Sequence, residues 1–336
     1  MPRRRGAPVA LDLILDAIPP ASGAVVMGTG IVSIALSLDG QETLSVLLLV
    51  LDVLAWVTLA VLLPARALRD RPRFRGDIGL PAAFTAVAGT AVLGTRLTLL
   101  GWTWAANALL VIALVVWLGL VGPVLHRWST PTVGASFILT VGTESLALLA
   151  AALALAYHAD WMLGASLPAF VLGLGFYAFV LRSFDWTQLA RGQGDHWVTG
   201  GALAISTVAA GRITLAAEHL RLLHDAVGTL KAVSLALWIL ALAWLPVLLF
   251  AEARWPRRDY YVRRWSTVFP VGMYAACSFV VGDIASAAAI TSFARVWVWV
   301  ALAVWAVVAC GLNRAAIRTI ASALRHHQSR PSRPVG

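Results

Sequence analysis

An all-α protein crossing a membrane ten times, as five helical hairpins around a central pore, is the fold class this sequence predicts, and three observations carry it. The 336 residues are 60% hydrophobic and only 12% charged, with a mean hydropathy of +0.82, whereas soluble domains carry about 25% charged residues. Apolar stretches long enough to cross about 30 Å of hydrocarbon, about 20 residues each, recur ten times along the chain. The basic residues fall between these stretches, mostly in every second gap.

Taken in order, the expected spans are residues 20–38, 43–63, 79–99, 102–125, 132–156, 161–181, 197–216, 228–250, 267–289 and 296–312, so that residues 20–312 form one membrane domain. The preceding segment, 1–19, opens with Arg3, Arg4 and Arg5. It then sets Leu11, Ile14, Leu15 and Ile18 opposite Asp12 and Asp16, which predicts a short interfacial helix over 9–18. Those carboxylates interrupt what would otherwise read as a signal peptide, and with no small-residue site after them no cleavage is expected. Residues 313–336 form a basic tail, and the stretch after Leu324 reads as disordered.

An even number of crossings puts both ends of the domain on one side. Of the 26 Lys and Arg residues, 21 fall on that side; the exceptions are Arg96, Arg212, Arg221, Lys231 and Arg295. Because basic residues accumulate in cytoplasmic loops, both termini are expected in the cytoplasm of a multi-pass plasma-membrane protein. The same topology accounts for the net charge of +10, so nucleic acid is not an expected partner.

Odd and even spans differ in composition. The odd ones carry small and helix-bending residues: Pro20, Gly23, Gly28 and Gly30; Pro81, Gly89 and Gly94; Gly134 and Gly142; Gly200, Gly201 and Gly211; Pro270, Gly272 and Gly282. The even ones are built from Leu, Val and Trp, including Trp56, Trp117, Trp238 and Trp305. Small residues let backbones approach closely and bulky apolar ones suit lipid, so odd helices are expected inside and even helices outside. A weak repeat, Gly28-Thr29, Gly89-Thr90 and Gly142-Thr143, marks three odd spans. Five inner helices around a lumen is the expectation, and close small-residue packing without a lumen is its alternative.

Ionisable residues at membrane depth are costly and usually face a bundle interior or a wet cavity. Arg96, Glu144, Arg212 and Asp283 lie on odd spans, and Asp52 on an even one, where an inter-helix hydrogen bond is expected. Arg96 and Arg212 would attract anions at an outer funnel. Glu144 and Asp283 would either pair with Arg212 or carry a proton with the substrate.

Other constellations carry less. His219 and His224 stand five residues apart, a spacing that separates two ligands around a helix, so a loop at the membrane surface is expected rather than a metal site. His158 and His196 read as loop-end residues. Cys277 and Cys310 lie singly in apolar segments and give neither a disulfide frame nor a metal cluster. With no phosphate-binding loop and no cluster of acid, base or metal ligands at one depth, neither primary active transport nor an intramembrane enzyme is indicated, and no cofactor or metal is expected.

Three segments, PPASGAVVMGTGIVSIAL at 19–36, DHWVTGGALAI at 195–205 and RWSTVFPVGMYAA at 264–276, resemble the tellurite-resistance and dicarboxylate transporter family. That family includes bacterial tellurite-resistance permeases, fungal malate and sulfite carriers and plant slow-type anion channels. The resemblance implies a pore lined by the odd helices, a homotrimer with one pore per subunit, and a pore-blocking phenylalanine on the ninth helix, whose match here is Phe269 before Pro270, with Phe279 as the second candidate. On this reading Gly28, Thr29, Gly30, Gly89, Thr90, Gly142, Thr143, Gly201 and Pro270 line the path. Small anions of the C4-dicarboxylate, sulfite, tellurite or halide class are the expected substrates. A proton-coupled dicarboxylate carrier using Glu144 or Asp283 is the alternative.

Overall fold

The computed structural model describes residues 15, 18–191, 194–256 and 260–328. Ten helices in it are long and apolar enough to cross a membrane. Their α-helical parts are α1 (Gly23–Leu38), α2 (Glu42–Arg69), α3 (Thr85–Leu99), α4 (Thr103–His126), α5 (Ile138–Tyr157), α6 (Asp160–Leu181), α7 (Trp197–His219), α8 (His224–Arg254), α9 (Trp265–Ile284) and α10 (Ala288–Gln328). Short 3-10 turns, Pro20–Ser22, Pro81–Phe84, Gly134–Phe137 and Val262–Arg264, lead into α1, α3, α5 and α9. In the first two a proline stands at the opening position, where its missing N–H costs nothing.

Each odd helix packs against the even helix that follows it, and the odd helices also pack on one another in sequence, α1 on α3, α3 on α5, α5 on α7, α7 on α9 and α9 back on α1. The five odd helices therefore form a closed ring. Burial follows the same division: 78 to 94% of each odd span is buried, against 17 to 33% of each even span. Composition forces this, because an even helix of Leu, Val and Trp loses nothing by facing acyl chains, while Gly and Thr gain only where another backbone comes close.

The even helices are also tied inward at their far edges. Trp56 of α2 donates its indole N–H to Thr90 of α3 at 2.9 Å, and Trp117 of α4 to Thr143 of α5 at 2.9 Å. Trp238 of α8 does the same to Ser278 of α9 at 2.9 Å, and Trp305 of α10 reaches back to Thr29 of α1 at 3.0 Å. Four of the five outer helices thus clasp the inner helix of the next hairpin, the last of them reaching back to the first. Among the described residues the junction of α6 with α7 has no such bond. There Gly173 of α6 faces Glu144 of α5, whose Oε1 accepts from Ser206 of α7 at 3.1 Å.

The ends depart from expectation in three places. The ninth span runs over Val262–Ile284, about five residues earlier than the sequence suggests. The chain turns at Ser286, a non-glycine residue at φ 49°, where no glycine or proline announces a break. The tenth helix continues past residue 312 to Gln328, so Arg325–Gln328 are helical rather than disordered; the Ala-rich run before them favours helix and nothing in it stops one. Of the expected interfacial helix over 9–18, only Leu15 and Ile18, both buried, are among the described residues; the rest of that stretch and the tail from 329 lie outside them.

Candidate functional site

The glycines and threonines of the repeated pair make close contacts between neighbouring segments. A Cβ on Gly28 would come within 2.9 Å of the Trp265 ring, one on Gly89 within 3.0 Å of the Gly23 carbonyl, and one on Gly142 within 2.8 Å of Phe84. Each glycine sits at a tight contact with a neighbouring segment of the ring. Thr29, Thr90 and Thr143 each accept a hydrogen bond from an indole of an outer helix. Gly30 likewise faces Asp52 and Val92, and Gly201 packs on the Pro270 ring.

Asp52 is fully buried on α2, and neither of its carboxyl oxygens has a hydrogen-bond partner, so the expected inter-helix bond is not made. Its nearest small neighbour is Gly30, where a side chain would meet Asp52 Oδ2 at 2.7 Å.

Arg96 is also fully buried. Its Nη2 donates to Glu42 Oε2 at 2.7 Å, and its Nε to Ser45 Oγ at 2.9 Å and Ser33 Oγ at 3.3 Å. Ser33 and Ser45 each donate to the other's carbonyl, at 2.7 and 2.6 Å. The guanidinium is therefore the centre of a polar knot joining α1, α2 and α3. The sequence gives no hint of this partner, because Glu42 stands outside the expected second span and reads as a loop residue.

Arg212 is placed differently. It lines a cavity of about 320 Å³ with Leu38, Leu215, Phe279, Val280, Asp283 and Thr291. The cavity lies where α1, α7 and α9 finish, on the face opposite the beginning of α1. Asp283, expected within the ninth span, is exposed in the last turn of α9. Arg212 and Asp283 thus share one mouth, while Glu144, on the neighbouring helix α5, does not line it. A larger cavity of about 400 Å³ lies between α2, α3 and α4. Its walls, among them Leu59, Leu63, Ile112 and Val116, are apolar and outward, unsuited to an ion.

The direction of Phe269 follows from the contacts on either side of it. On α9, Val268 and Gly272 meet α1, Pro270 meets α7, and Val271 and Ser278 accept bonds from the outer indoles of Trp297 and Trp238. At about 100° per residue, the face left over is the one turned to the middle of the ring. It carries Phe269, Met273, Ala276 and Asp283, and Val280 borders it on the α7 side, packed against Gly211. The Phe269 ring is fully buried, and the cavity holding Val280 and Asp283 lies on the same face, about 15 to 20 Å further along the helix at 1.5 Å per residue. Phe279, which points toward α1, lines the cavity itself.

A closed ring of small-residue helices, with an aromatic ring on its inner face and one arginine in a mouth above it, defines a polytopic membrane protein of the permease or channel class. The chain belongs to the SLAC1 family, described as voltage-dependent anion channels, whose family model matches residues 17–312. Two uncharacterized membrane proteins of Mycobacterium tuberculosis, from strains CDC 1551 / Oshkosh and ATCC 25618 / H37Rv, are each 31% identical to it over 136 residues, 38% of this chain. The chain spans 64% of the length of these relatives.

Proposed function

We propose that this protein passes small anions across the plasma membrane along the axis of its five-helix ring, with Phe269 as the occluding side chain. Membership of an anion-channel family supports the class of cargo. What supports the residue assignment is the register of α9, which at about 100° per residue sets Phe269 on the same side of the helix as Asp283, a residue lining the Arg212 cavity. The resemblance to dicarboxylate and tellurite-resistance permeases points to dianions of the C4-dicarboxylate, sulfite or tellurite kind, or halides, and to a homotrimer with one path per subunit. The charge distribution over the loops supports cytoplasmic termini.

Arg212 enriches anions at the mouth; Arg96, already paired with Glu42, holds the ring together instead. A proton-coupled carrier is the other reading. It is less well supported, because Glu144 is turned toward Ser206 and Gly173 and away from the inner face.

The test is Phe269→Ala in proteoliposomes. Anion flux should rise about tenfold or more, the change produced by removing about 1.4 kcal/mol of barrier. Unchanged flux through a protein whose wild type conducts removes Phe269 from the path.

A further inference from the structure

On the face opposite the termini, His158 and His219 meet. His158 is the C-cap of α5 and His219 the last residue of α7. Their Nε2 atoms stand 3.0 Å apart, their rings are inclined at 66°, and both side chains are exposed. Sixty-one residues separate them in the chain, so the pairing is made by the fold alone. His158 adopts a left-handed backbone, φ 55° and ψ 43°, at a position where glycine or asparagine is the usual occupant.

We propose that His158 and His219 form a binding site for a divalent transition-metal ion. Imidazole nitrogens bind zinc, nickel and copper at about 2.0 to 2.1 Å. Two nitrogens 3.0 Å apart subtend about 94° at an ion held by bonds of that length, the angle of square-planar or octahedral coordination. Opening the pair to about 3.4 Å gives the tetrahedral angle, a change that exposed side chains make by small torsions without backbone movement. In the metal-free pair one ring donates its Nε2 proton to the other. On binding, that proton passes to Nδ1 of the same ring, and both Nε2 lone pairs turn to the ion. Among the described residues no third His, Cys, Asp or Glu completes a cluster, so water fills the remaining positions. Glu218 beside the site is held by Lys231 at 2.6 Å. The ion would staple α5 to α7, two ring neighbours whose hairpins meet at the junction that has no indole clasp.

The experiment uses the full chain without a polyhistidine tag, in detergent, titrated with zinc sulfate and with nickel sulfate. Calorimetry should give one site per chain, and saturation should raise the melting temperature by a few degrees. His158→Asn, which suits the left-handed backbone, and His219→Asn should each abolish both effects, whereas His126→Asn on the opposite face should leave them intact. Absence of binding by the wild type, or binding that survives in either variant of the pair, overturns the proposal. Neither readout depends on anion flux, so the outcome is separate from that of the Phe269 test.

Discussion

Arg96 shows how a charge at membrane depth is made tolerable, and the two members of its ion pair with Glu42 should respond unequally to mutation. The guanidinium is fully buried, but Glu42, at the first turn of α2, keeps 54% of its side chain exposed. Glu42→Ala leaves a buried cation with only two hydroxyls for company, and stranding one member of a buried pair costs about 3 to 5 kcal/mol. Arg96→Met fills the same space with an apolar chain and leaves the glutamate to water, so it should cost less than half as much. Equilibrium unfolding in mixed micelles measures both, and equal costs would mean the knot is not organised around the guanidinium. At this scale the sequence marked Arg96 as important but misjudged its work, because a carboxylate four residues into a polar turn gives no sign of folding back over a helix from another hairpin.

At the scale of the element, the alternation of small and bulky spans was legible from composition alone, since Gly and Trp content assigns a helix to the inside or the outside. Which face of a helix does what was not legible. Thr29, Thr90 and Thr143 sit on inner helices, yet their hydroxyls are turned outward to Trp305, Trp56 and Trp117, indoles that read as lipid-facing in the sequence. A usable signal was present: each Gly-Thr pair follows the opening of its 3-10 turn at the same offset, Pro20 to Gly28, Pro81 to Gly89 and Gly134 to Gly142, and the even spans carrying these indoles place one mid-span. Constant depth implies pairing between helices, whereas lipid contact alone requires no fixed depth. A double-mutant cycle on Trp117→Phe and Thr143→Ala should therefore return a coupling of about 0.6 kcal/mol, and no more than about 1.7 kcal/mol, the range found for hydrogen bonds between membrane helices. A coupling of zero would reduce the indole to a space-filler.

For the whole molecule, closure of the ring decides which charges act on a permeating anion. Arg212 opens into the cavity at the mouth, where a unit charge about 7 Å from an anion in water is worth about 0.6 kcal/mol, roughly threefold in local concentration. Arg212→Gln should lower flux by about that factor in dilute buffer. The loss should shrink at 0.15 M salt, as the screening length falls from about 30 Å at 0.01 M to about 8 Å; a loss independent of salt would make Arg212 a structural residue. Glu144 stands in the opposite position. Its Oε1 is bound by Ser206, its Oε2 has no hydrogen-bond partner, and Gly173 provides the room it occupies, all on the side of α5 away from the inner face. Glutamine keeps the bond to Ser206 and the volume but cannot carry a proton. If anions move passively past Phe269, Glu144→Gln leaves both the rate and its indifference to a pH gradient unchanged. If instead the wild type accumulates a dicarboxylate under an inward proton gradient and the variant does not, the ring works as a coupled carrier, and the junction where an indole clasp gives way to a carboxyl group is where the proton crosses.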